Sequence, residues 1–149
     1  MGRIFFDIED YKTALDLEIA NCMRDPDGTV QTEAKKAIIR SAKENVYDAY
    51  PKPKFESRRG TGKSMGGGIM DEDNLLSFTS EKGFTLTIQN LATWQHLYGG
   101  AYPSNDLADV IENNQIYGAP KRPFMQKAED EYSDRFGLDL VEDLEFRGF

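Results

Sequence analysis

The stretch from Thr29 to Tyr50, TVQTEAKKAIIRSAKENVYDAY, constrains this chain more than any other, because it reads as one long amphipathic helix. Val30, Ala34, Ala37, Ile38, Ala42, Val46 and Tyr50 recur at three- and four-residue intervals, while Lys35, Lys36, Arg40, Lys43 and Glu44 fall mostly on the opposite side. Asp25-Pro26-Asp27-Gly28 supplies a turn before it, Thr29 is placed to cap its first turn, and Pro51 stops it after Tyr50. A lone helix of this kind is marginal in water, so its apolar stripe requires a sheet or other helices.

The rest of the chain supplies both. Asp7 is expected to cap a first helix through about Arg24, with Ile8, Tyr11, Leu15, Ile19, Cys22 and Met23 on one stripe. Leu75 to Thr79 and Phe84 to Asn90 read as an antiparallel hairpin turning at Ser80 to Gly83. Leu91 to Tyr98 suits a helical turn as well as a strand. A short helix is expected from Asp106 to about Asn114, capped by Ser104 or Asn105. Pro123 opens a last helix with Phe124, Ala128, Tyr132 and Phe136 on one face, and Gly137 closes it. The tail from Leu138 to Phe149 fits a strand, a helix or an arm. The expected fold is α+β: an antiparallel sheet with the long helix and the C-terminal helix packed against it, plus an N-terminal helix. It forms a single domain, with helix and turn over 1–28, core over 29–136 and tail over 137–149.

Composition narrows the function. At 149 residues one domain is the norm, large enough to need no metal or disulfide for stability. The lone Cys22 suits a reducing compartment and a core position. The apolar run Ile4-Phe5-Phe6 is broken by Asp7, too short for a signal peptide or a membrane span, so a soluble intracellular protein is expected. A net charge of −8 argues against tight nucleic-acid binding, which needs clustered Lys and Arg. With one His and one Cys, no transition-metal site and no cofactor are expected. The turn Asp25 to Gly28 fails as a calcium loop, because Met23 and Ala34 would stand at its first and last ligand positions.

Two motifs share one loop. Ser57-Arg58-Arg59-Gly60-Thr61-Gly62-Lys63-Ser64 ends like a phosphate-binding loop but lacks its first glycine, its entering strand and its leaving helix. Gly62-Lys63-Ser64-Met65-Gly66 spells a nucleophile elbow, with Asp71, Asp73 and His96 downstream in the right order, yet the parallel sheet such an elbow needs is missing. Asp71-Glu72-Asp73 is more simply a solvated turn. Arg58-Arg59 and Lys121-Arg122 are basic pairs next to Phe55 and Phe124, the composition of an interface hot spot and equally of an ordinary solubilising surface. Arg58, Arg59, Lys63, Arg122 and Phe124 are therefore the candidate interface residues, with no catalytic, cofactor or metal ligand set.

Val46 to Arg59, VYDAYPKPKFESRR, and Leu107 to Ala128, LADVIENNQIYGAPKRPFMQKA, resemble segments of the head-tail joining and tail-completion (tail terminator) proteins of long-tailed bacteriophages. In that family a helix ending near Tyr and Pro runs into an aromatic, Arg-Arg and a glycine-rich turn, and a later Arg-Pro-Phe opens the last helix. The resemblance covers the chain from Thr29 to about Phe136. It departs after Ile111-Glu112, where the family often has glycine and this chain has Asn113-Asn114. It implies a non-enzymatic virion subunit, most simply in a hexameric ring between neck connector and tail tube, assembled in the host cytoplasm, with DNA passing through its lumen unbound. Another neck ring, a stopper or an adaptor, fits the same segments. The competing classes are a small hydrolase using Ser64 or Lys63 in the Gly60 to Gly68 loop, and a monomeric adaptor or inhibitor.

Overall fold

The first helix starts where a capping side chain stands ready. In the computed structural model, which describes residues 3–49, 68–92, 107–113 and 121–149, the Asp7 carboxylate accepts the Glu9 N–H at 2.7 Å and so opens α1, Ile8–Arg24. Only the second half of α1 is buried, through Ala20, Cys22 and Met23. The single stripe expected from Ile8 onward is corrected here: Ile8 and Tyr11 are exposed, because the neighbouring helices cover only the C-terminal end of α1.

Helix α2, Thr29–Ala42, passes into one π turn, Lys43–Tyr47, in which the Asp48 N–H reaches the Lys43 carbonyl five residues back at 2.8 Å. The α-helix is thus shorter than expected, and Tyr50 lies outside the described residues. Its start differs as well. Thr29 is the first helical residue rather than the cap, and Gly28 at the cap position has no side chain to offer. The cap comes from the far end of the chain: the Asp143 carboxylate accepts the N–H groups of Thr29 at 2.9 Å and Val30 at 3.0 Å. A Cβ on Gly28 would lie 3.1 Å from that carboxylate, so glycine leaves it room.

Helix α4, Phe124–Phe146, corrects the expectation that Gly137 ends it. Glycine inside a helix costs about 1 kcal/mol relative to alanine, and Gly137 faces open space. The bonds beyond it offset that cost. Asp139 lies 3.0 Å from the Tyr132 hydroxyl, Asp143 caps α2, and Arg147 pairs with Asp25 at 2.8 Å. The segment after Gly137 is therefore a continuation of α4 that closes on the N-terminal end of α2, not a free arm. Asp143→Ala should lower stability by about 1–3 kcal/mol, since it strips a buried helix terminus of its acceptor. Asp143→Asn should recover part of the loss in urea unfolding, and equal losses for the two variants would count against the cap.

Strand β1, Leu75–Thr79, pairs antiparallel with β2, Leu86–Asn90, in a register running from Leu75 opposite Asn90 to Thr79 opposite Leu86. The second strand starts two residues later than expected. The Ser80 hydroxyl accepts the N–H groups of Phe84 and Thr85, both at 3.1 Å, which holds them in the turn and leaves Phe84 exposed. Asp71, expected in a solvated turn, is buried and caps the short turn Glu72–Asn74 by accepting the Asp73 N–H.

The core lies between the helices and the hairpin. Ile38, Ala42 and Val46 meet Phe124 and Ala128 of α4, Leu75 of β1, Ile69, Ala92, and Leu107, Ala108 and Ile111 of α3, Leu107–Asn113. Val46 and Phe124 are both buried, as the apolar spacing of their helices predicts. The architecture is α+β: a two-stranded antiparallel sheet with helices packed against it. Among the described residues no helix is long and apolar enough to cross a membrane.

Candidate functional site

A groove of about 470 Å³ opens where β2 runs past α2 and α4. Ile38 of α2 lies at its floor, Leu86 and Ile88 come from β2, and Met125 and Tyr132 come from α4. Each is there because an amphipathic element turns its apolar face inward while the two-stranded sheet is too narrow to cover the helices. Thr85 and the first three residues of β2, Leu86 to Ile88, line the groove. Neighbouring side chains on a strand point to opposite faces, so a groove touching all four runs along the strand's edge.

Two carboxylates mark its rim. Glu129 is exposed, whereas Glu112 at the end of α3 is partly buried and receives the Met125 backbone N–H. Burial pushes the Glu112 carboxyl above the usual carboxylate range, and the N–H groups of Met125 and Gln126 oppose that shift. Deeper in, the Tyr132 hydroxyl stands 3.1 Å from the Val30 carbonyl and 3.0 Å from the Asp139 carboxylate, and can donate to one at a time. Burial, and then the hydrogen bond to Asp139, push this phenol up, so it stays protonated. These groups tie α4 to α2. An apolar floor, a strand edge unpaired among the described residues and acidic walls make the groove a surface suited to a peptide segment.

A second surface is the stretch before α1. Arg3 reaches Glu18 at 2.9 Å and lies over the Phe149 ring, 5.1 Å from its centroid. Phe5 packs on Tyr11 and Phe149, with ring centroids 5.4 and 5.8 Å away. The alternate residues turn outward: Ile4 is 81 %, Phe6 99 % and Ile8 81 % exposed.

Of the residues singled out in the sequence, Arg58, Arg59 and Lys63 lie outside the described residues, as do Ser64 and His96. The expected loop from Pro51, the segment from Thr93 to Tyr98 and the caps Ser104 and Asn105 lie outside them too. Arg122 is partly buried, its N–H donating to the Ile111 carbonyl at 2.9 Å, and Lys121 is exposed. Phe124 is fully buried among Ile38, Ala42 and Ala128, which corrects its place among the interface residues: it opens α4 with its ring in the core. Cys22 is buried, and burial raises its thiol pKa, as suits a packing residue. Among the described residues no three His, Cys, Asp or Glu side chains gather to hold a metal.

The residues missed from sequence are Asp139 and Asp143, which join Tyr132 on one face of α4. Their spacing at seven and eleven residues was the available signal, hidden by reading Gly137 as a stop. No protein-family model, curated protein or solved structure matches the chain.

Proposed function

We propose that this chain is a non-enzymatic ring subunit of a long-tailed bacteriophage, placed at the neck or at the head-proximal end of the tail tube. The observation that carries the reading is the apolar surface left in water: Ile4, Phe6 and Ile8 before and at the start of α1, and Leu138, Val141 and Phe146 along the second half of α4. Large apolar side chains exposed in such number suit an assembly surface. The segments Val46 to Arg59 and Leu107 to Ala128 support the phage assignment by their resemblance to tail-completion proteins. Subunits joined through unlike surfaces close into rings when the rotation permits, six-fold in this reading, with one face toward the connector and the other toward the tube. A net charge of −8 suits a lumen through which DNA slides without sticking.

Imaging of purified virions, with mass spectrometry of their proteins, tests the reading. The expected result is a ring of density at the neck or tube end that accommodates α2 and α4 of this chain. Its absence from particles, or ester or nucleotide hydrolysis lost in Ser64→Ala or Lys63→Ala, would overturn it.

A further inference from the structure

We infer that the extended arm before α1 of one copy docks into the β2-edge groove of a second copy, lengthening its sheet by a short strand. This contact deepens the ring reading and rests on it for closure into a ring.

The acceptor follows from the hairpin's hydrogen bonding. The Ser80 N–H donates to the Thr85 carbonyl and the Leu91 N–H to the Asn74 carbonyl, so alternate pairs, Phe78 with Thr87 and Leu76 with Gln89, carry the ladder. Leu86 and Ile88 then direct their backbone N–H and C=O groups away from β1, into the groove. Among the described residues no backbone group meets them. An open strand edge beside an apolar floor is the arrangement that takes an added strand.

The donor follows from the arm's alternation. Arg3 and Phe5 hold the arm to its own subunit while Ile4 and Phe6 project outward, the period-two pattern of a strand with one face uncovered. Ile8 extends that apolar face by one position. In the docked arrangement these side chains lie over Met125 and Tyr132. The arm cannot serve its own groove. It is fixed beside Arg147 and Phe149, past the C-terminal end of α4, whereas the groove lies along Met125 to Phe136 of the same helix. At 1.5 Å per residue the two are on the order of 25 Å apart. Donor and acceptor are thus unlike surfaces at opposite ends of one rigid helix, so the contact is head-to-tail.

Thiol exchange between full-length chains tests this. Ile4→Cys, activated as an aromatic mixed disulfide, is mixed with Gln126→Cys, whose side chain is exposed at the groove. Exchange should run at least about tenfold faster than with Ser133→Cys, an exposed position away from the groove, because docking raises the local thiol concentration. Adding Phe6→Asp to the arm should abolish the difference while leaving thermal unfolding unchanged, since Phe6 is fully in solvent. Equal rates at the two positions, or an enhancement that survives Phe6→Asp, would overturn the contact. A chain present in virions whose Ile4→Cys and Gln126→Cys positions fail to cross-link there overturns the contact and leaves the ring reading standing. Fast groove-specific exchange by a chain absent from virions supports the contact and removes the phage assignment.

Discussion

Phe124→Ala should lower the stability of the chain by about 3–5 kcal/mol, the range for emptying a well-packed aromatic site. Among the described residues Phe124 is the largest fully buried side chain, and it sits where α2, α3, α4 and the hairpin converge. Its carbonyl also accepts the buried Ser41 hydroxyl at 2.6 Å, which ties the first turn of α4 to α2. Losing the ring opens a void that four separate elements would have to close together. Against a total stability of about 5–15 kcal/mol such a loss brings the domain near unfolding. Urea denaturation followed by circular dichroism checks it, with Phe124→Leu expected to retain most of the stability. A loss under about 1 kcal/mol would mean that the site collapses freely, contrary to the packing described.

Gly83→Ala is expected to cost about 2–4 kcal/mol, from backbone strain and overpacking acting together. Gly83 has a φ of 80°, in the left-handed region that side-chain-bearing residues avoid. An added Cβ would also stand 2.5 Å from the Ala20 Cβ and 2.8 Å from the Ala20 Cα. The second contact is with backbone of α1, so no rotamer change relieves it. The hairpin turn must lift off α1, breaking the bond from Arg24 to the Glu81 carbonyl at 2.8 Å. The double variant Ala20→Gly with Gly83→Ala should recover only part of the loss in thermal unfolding, because it removes the Cβ–Cβ clash and leaves both the strain and the contact with the Ala20 Cα. Wild-type stability for Gly83→Ala would show that the turn does not press on the helix.

Much of this fold was legible because its signals are local. Asp7 stands two residues before the N–H it caps, and Leu75 to Asn90 alternates and turns within sixteen positions, so hydrophobic period and turn chemistry suffice. What was not legible depends on partners distant in the chain. Thr29 looked like a cap because nothing in its neighbourhood reveals that Asp143 will arrive. Gly137 looked like a stop because propensity is a weak preference, overridden when Asp139 and Asp143 bond across to α2 and Tyr132. The stripe of α1 was read correctly as apolar, but amphipathicity says only that a face seeks cover, not how far the cover extends. The candidate site followed the same division. Phe124 was placed at once on a helix face and beside a basic pair, and burial decided for the helix. The β2-edge groove has no signature in the sequence, because a strand edge left unpaired among the described residues depends on the number of strands that assemble, which no single segment encodes.

The capping of α2 by Asp143 also sets an order of events during synthesis. Thr29 and Asp143 are 114 positions apart, so the acceptor for the first N–H groups of α2 does not yet exist when that helix is made. At the usual pace of about 5–20 residues per second, some 6–23 s separate the two. Throughout that interval the apolar stripe of α2 also lacks Phe124 and Ala128, its partners on α4. The nascent chain therefore presents an unfinished helix throughout that interval, and the start of α2 is sealed by a single late carboxylate.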